Sequence, residues 1–165
     1  MDREEFRSLV EELRRTPARL RELMAGLAPE QEAHKPGPDV FSARENVHHL
    51  RDLEAEGYGV RLLRMLDEPA PLLKDIPGDA LALERNYNGR PSGPALEDFA
   101  LLRAANVERL QRLAPEDLDR TGTLEKVGPV TLGKLLEMWR DHDRGHLDEI
   151  VRLAGRLPAE PKHDG

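Results

Sequence analysis

Two histidines, His142 and His146, stand four residues apart in the stretch MWRDHDRGHLDEI, residues 138–150. On a helix that spacing puts both imidazoles on one face, where they can share a divalent cation. The apolar residues around them decide which face. Leu132, Leu135, Leu136, Trp139, Leu147, Ile150 and Leu153 recur at helical spacing, and the stripe runs through His142, Asp143 and His146 in its middle. The histidines therefore lie on the core side. Two ligands are not a site, and a pair of core histidines bonded to carboxylates fits this helix equally well.

NVHHLRD, at residues 46–52, holds two candidates for a third ligand. His49 borders Leu50 and precedes Leu53 by four, which sets it on the inward edge of its helix. His48 falls with Asp52, Ala55 and Gly59 on a flank, as a packing or surface residue or a neighbour of the site. His34 and His163 fall in a loop and a tail and read as solvated. Three histidines on two helices facing one interior would bind a divalent metal and leave positions open, as catalytic sites do. Glu45, Asp52, Glu56, Asp141 and Asp143 are the carboxylates able to orient the imidazoles, and Asp143 is nearest the stripe. An acid or base beside the metal would come from Asp143, Glu56 or His48.

Four helical segments must carry these residues. Phe6, Leu9, Val10, Leu13, Leu20, Leu23, Met24 and Leu27 mark the first, and its spacing survives Pro17, which predicts one kinked helix. Ser42 and Glu45 form an S-x-x-E capping box that opens the second, with Leu50, Leu53, Val60 and Leu63 as its expected buried stripe. Pro94 is expected to open the third, marked by Leu96, Phe99, Leu102, Leu110 and Leu113. Thr131 caps the fourth, which reaches about Leu153. Residues 67–93 are dense in proline and glycine and read as a long connection with room for a short helix in DALALERN. TLEKVGPVTL reads as a small extended turn. The expected fold is all-α, a four-helix bundle with a long crossover between helices two and three. It forms one domain over residues 1–157, followed by a flexible tail at 158–165.

Composition narrows the function. The chain has 165 residues, 32 acidic against 25 basic, and a net charge of -7, which disfavours nucleic acid as a partner. It has no cysteine, so thiolate ligands, disulfides and a cysteine nucleophile are excluded. No apolar run approaches membrane-spanning length and the charged N-terminus is no signal peptide. A soluble cytoplasmic protein is expected.

FSARENVHHLRDLE near the start, and GPVTLGKLLEMWRDHDRGHLDEIVRL near the end, resemble the two signature regions of the DinB/YfiT-like superfamily. The resemblance runs from RTPARLRELMAGL to Leu153. It departs at Phe41, where the family often has tryptophan. It implies a four-helix bundle with a long crossing between helices two and three, a zinc or nickel site carried by His49, His142 and His146, and a homodimer. It also implies a metal-dependent enzyme, foremost a transferase acting on a low-molecular-weight thiol of the bacillithiol or mycothiol type and a small electrophile. Because the chain lacks cysteine, the sulfur would belong to the co-substrate. A metal-dependent hydrolase and a non-catalytic metal-binding bundle serving stress response or interaction remain the alternatives.

Overall fold

A computed structural model describes residues 1–155. The tail at 158–165 and His163 lie outside the described residues. The first bundle helix is α1, Arg3–Ala25. Asp2 caps it, accepting hydrogen bonds from the Glu4 and Glu5 amides, while the Glu5 carboxylate accepts from the Asp2 amide, so three otherwise orphaned amides are satisfied. α1 runs through Pro17. A short helix α2, Pro29–Glu32, lies in the connection that follows.

Ser42 caps α3, Ala43–Asp52, with the expected reciprocal bonds to Glu45. The helix continues as one π turn, Leu53–Tyr58, and then as α4, Gly59–Asp67; the three together form the second bundle helix. A π turn holds more residues per turn than an α-helix, so it rotates the face that follows. This overturns part of the expected stripe. Leu50 and Leu53 are buried, but Val60 and Leu63 are 41% and 39% exposed. Tyr58, Leu62 and Met65 fill the core instead.

Residues 68–91 carry β1, Leu72–Leu73, then α5, Gly78–Glu84, and a 3₁₀ turn at Tyr87–Gly89. α6, Ser92–Leu110, is the third bundle helix. It begins two residues before Pro94, which occupies the first turn, where a missing amide proton costs nothing. A 3₁₀ turn at Pro115–Asp119 leads to a hairpin of β2, Thr121–Leu124, and β3, Gly128–Thr131. The extended segment read from the sequence is this hairpin, and β1 adds to it in parallel, Leu72 opposite Thr123. Thr131 then caps α7, Leu132–Ala154, with its side chain accepting from the Lys134 amide. Among the described residues no helix is long and apolar enough to cross a membrane.

α1 and the second bundle helix each pack on both α6 and α7. Cross-helix pairs give the directions. Arg51 meets Asp98, and Glu54 meets Arg103 and Asn106, so the second and third helices run the same way. Asn46 meets His146 and Tyr58 meets Met138, so α7 runs against the second helix. The segment 68–91 therefore has to return along the bundle between its two parallel neighbours.

The apolar core divides in two. One part includes Leu9, Leu13, Leu62, Leu110, Leu136 and Trp139; the other includes Leu20, Leu50, Phe99 and Ile150. A polar layer separates them. Arg103 lies between Phe99 and Val107 on α6, Asp143 between Trp139 and Ile150 on α7, and Glu54 on the π turn; all three are 1–3% exposed. The Arg103 guanidinium donates to both oxygens of Glu54 at 3.0 and 2.8 Å and to Asp143 at 2.7 and 3.3 Å. It also donates to the Leu13 carbonyl at 2.8 Å. That carbonyl is the one Pro17 leaves without its helical partner, since proline has no N–H. One guanidinium thus ties all four bundle helices together.

Candidate metal centre

His49, His142 and His146 converge on the α7 side of this polar layer. One nitrogen from each lies within 4.8 Å of the other two, and the Nε2 atoms of His49 and His142 are 3.0 Å apart. The ring centroids are 4.5 to 5.1 Å apart. The capping box starts α3 so that His49 points inward, and the four-residue step on α7 delivers the other two.

The tautomer of His146 follows from its neighbours. Asn46 donates from Nδ2 to the Ser42 carbonyl at 3.0 Å, which leaves its Oδ1 as acceptor. His146 Nδ1 lies 2.6 Å from that oxygen and must donate its proton there. The lone pair is then on Nε2, as a ligand nitrogen requires. Burial foremost, with the neighbouring imidazoles, holds the pKa of His49 down to about 2, and burial with His142 holds His146 at about 3. Both rings are neutral at physiological pH and fit a cation, because only neutral imidazole coordinates.

Three contacts fix the rings. Phe41 stands 5.4 Å from His49 and 6.5 Å from His146 between centroids, so the aromatic at this departure from the family pattern packs on the cluster. Tyr58 stacks on Trp139 at 5.2 Å and meets His142 at 5.4 Å. Gly78, at the start of α5, lies against His49: a Cβ there would be 2.5 Å from its Cε1. The long connection thus supplies a wall of the site.

Of the residues expected to act beside a metal, none lines the cleft that opens over the histidines. Asp143 has an oxygen 4.0 Å from His142 Nδ1 but is committed to Arg103. Burial raises its pKa most, yet Arg103 and His142 together bring it below the usual carboxylate range. Glu56 is bound to Arg85 and lies on another groove. His48 is 2% exposed, stacks on Tyr87 and sits 3.2 Å from the Arg90 carbonyl. Glu45 serves the helix cap, Asp141 pairs with Arg140, and Asp52 binds Tyr87, Arg85 and Arg51.

The cleft itself has a volume of about 330 Å³. Leu53, Ile76, Leu124 and Met138 give it apolar walls, and Arg61, Asp75, Glu125 and Lys126 polar ones. The sequence reading missed these four polar residues and Asn46. Tyr58 also lines the cleft; burial foremost raises its hydroxyl to about 12, so it stays protonated, donating to the Met138 carbonyl at 3.3 Å.

A family model described as the DinB superfamily matches residues 12–150. The chain belongs to the DinB superfamily. Within DinB proteins it is similar to a protein of Oceanobacillus iheyensis named "Putative metal-dependent hydrolase OB0782", with 28% identity over 116 residues. That match takes in 70% of this chain and 66% of the relative, so the chain spans just under two thirds of its length. The DinB fold is also seen in a solved structure from Bacillus subtilis, described as "YfiT from Bacillus subtilis is a probable metal-dependent hydrolase with an unusual four-helix bundle topology". It superposes with a TM-score of 0.88 at 20% identity, covering 94% of this chain and 89% of that one. The four-helix bundle of this DinB chain is thus the fold expected.

Proposed function

We propose that His49, His142 and His146 hold a divalent cation and that the cleft above them is the active site of a metal-dependent enzyme acting on a small molecule. One observation carries the reading: three imidazoles from two helices converge at the floor of an open cleft, and among the described residues no carboxylate joins them as a fourth ligand. A three-histidine set is neutral and leaves coordination positions open. Imidazole donors suit zinc or nickel. A divalent cation bound there supplies Lewis acidity and a charge that lowers the pKa of a proton-bearing nucleophile.

The chain's own groups do the rest. Asn46 holds His146 with its proton on Nδ1, Gly78 and Phe41 hold His49, and the Tyr58 hydroxyl stays protonated. Leu53, Ile76, Leu124 and Met138 give a bound molecule an apolar surface beside the histidines. The names of the two similar proteins favour water as the nucleophile, which makes hydrolysis the leading reading. The finer reading is transfer of a low-molecular-weight thiol to a small electrophile. It draws on the family resemblance and on the absence of cysteine, which leaves any reacting sulfur to the co-substrate. The same resemblance supports a homodimer.

The test begins with elemental analysis of untagged protein, where about one zinc or nickel ion per chain is expected. The loaded protein is then given ester and amide substrates in water, and electrophiles with and without a thiol. Acid release in water marks a hydrolase, and thiol consumption matched to electrophile loss marks a transferase. A chain that takes up no divalent metal refutes the proposal; one that binds it and turns over neither class is a non-catalytic bundle.

A further inference from the structure

Among the described residues two arginines are buried, and their surroundings are opposite. Arg103 is 1% exposed and faces two carboxylates. Arg61 is 7% exposed, lines the cleft over the histidines, and makes no ion pair within 4.0 Å among the described residues. Its Nε and Nη2 donate to the Lys74 carbonyl at 3.1 and 2.8 Å, and its guanidinium lies 5.2 Å from the centre of the Tyr58 ring. That leaves both Nη1 protons and the second Nη2 proton uncommitted, a free fork at the end of the guanidinium. Asp75 is near enough to act on Arg61 through space but makes no direct ion pair with it. A buried guanidinium without a direct partner is costly, and the cost is recovered when a ligand brings the charge.

The acids of the cleft do not supply it. Asp75 is bound by Lys126 and Glu125 by Lys74. Each acid is thus matched by a lysine, Glu125 by Lys74 from outside the cleft, and Arg61 is left as a single positive charge without a direct partner. Tyr58 contacts both it and His142, and all three line the cleft. A ligand that reaches both therefore has an anionic end at Arg61 and its reacting end at the histidines. One unit of charge and a planar fork of donors match a carboxylate, and the apolar walls match an uncharged body.

We propose that the cleft recognises small carboxylates with an apolar body, and that Arg61 is the residue that selects them. The proposal rests on the reading of the cleft as the active site and names the substrate class for it.

The test uses benzoate, benzamide and phenyl phosphate as probes of the full-length protein, with and without added zinc, followed by amide chemical shifts. Benzoate is expected to shift Tyr58 and residues 124–127 in both states. Its Kd should rise tenfold or more in Arg61→Gln and by a smaller factor in Arg61→Lys, which keeps the charge but loses the fork. Benzamide should bind at least tenfold more weakly than benzoate and be unaffected by either substitution. Equal affinity for benzoate and benzamide, shifts elsewhere, or unchanged benzoate binding in Arg61→Gln overturns the proposal. Phenyl phosphate binding more tightly than benzoate overturns the carboxylate assignment. If Arg61→Gln does not give a native spectrum, Arg61→Lys decides, and a loss below threefold counts against Arg61. Zinc content, expected to be the same in wild type and both variants, separates the two readings. Zinc uptake without benzoate binding sinks this proposal alone, and Arg61-dependent benzoate binding without zinc uptake sinks the metal site alone.

Discussion

Replacing Arg103 with leucine removes the cation that binds Glu54, Asp143 and the Leu13 carbonyl. Breaking a buried pair by deleting one partner costs about 3–5 kcal/mol, because the remaining charge stays buried. At about 2–4 °C per kcal/mol for a chain of this size, the melting temperature should fall by roughly 6–20 °C. The pH dependence identifies the cause. In the wild type Asp143 has a folded pKa below the usual carboxylate value, so it contributes stability above that value that is lost as pH falls through the folded pKa. Without Arg103, burial is the dominant influence left and pushes Asp143 above its unfolded value. Folding then takes up a proton, and the penalty grows as pH rises. Denaturant titration by circular dichroism should therefore show a smaller loss in Arg103→Leu at pH 5 than at pH 7.5, by at least about 1 kcal/mol. The double variant Arg103→Leu with Asp143→Asn should recover part of it. A loss under about 1 kcal/mol, or one that deepens as pH falls, would show that the layer is not held by this guanidinium.

Further outcomes bear on the site. His49→Ala, His142→Ala and His146→Ala should each lose most bound metal by elemental analysis, since two imidazoles hold a divalent ion poorly; His48→Ala should change affinity by no more than about 10–100-fold, and metal lost from His48→Ala alone would reverse the assignment. Gly78→Ala drives a methyl into His49 and should weaken metal binding tenfold or more, whereas Gly145→Ala, with open space around it, should not; equal effects refute the role of α5. His49 and His146 have folded pKa values of about 2 and about 3 against 6.5, so the unfolded chain binds more protons between those values. Stability of the metal-free protein should then fall as pH drops below 6.5, by about 2 kcal/mol per ring at pH 5, and a flat profile from pH 7.5 to 5 would contradict the buried neutral rings.

The regular parts of the molecule were readable in the sequence. Ser42 with Glu45, and Thr131, fixed where two helices start, and a start fixes the phase of every residue that follows. His49, His142 and His146 could be placed on inner faces for that reason. The reading failed where phase is lost or where polarity is internal. Val60 and Leu63 fall on the inward stripe when residues are counted at α-helical spacing, because nothing in hydrophobic periodicity reports a π turn. The available sign was Gly57 and Gly59, two poor helix formers two residues apart within a helix. Arg103 and Asn106 are not legible as core residues, because a charged or polar residue on an inner face looks like an interruption of the stripe. Arg61, Asp75 and Lys126 come together through folding of the long connection and the hairpin, and local spacing holds no trace of such contacts.

The irregular positions have a common effect. Pro17 frees the Leu13 carbonyl, and Arg103 takes it. The π turn carries Glu54 to Arg103 and Tyr58 to His142, and it closes with the Gly59 amide donating to the Glu54 carbonyl. A Cβ on Gly59 would lie 2.4 Å from that oxygen, so the turn depends on glycine there. Gly78 lets α5 lie against His49. Pro17 and Gly59, both inside a helix, give up helix propensity of the order of 1 kcal/mol or more. In return each brings a polar group, or the backbone beside one, to the layer between the two apolar cores. A bundle of four regular helices with the same apolar residues would close that layer with hydrocarbon. It would leave no buried charge to hold Asp143 beside His142 and no cleft over the histidines. The departures from helical regularity are therefore where the chain gives up stability to build a site, and substitutions that restore regularity at Gly59 or Gly78 are expected to act on that site.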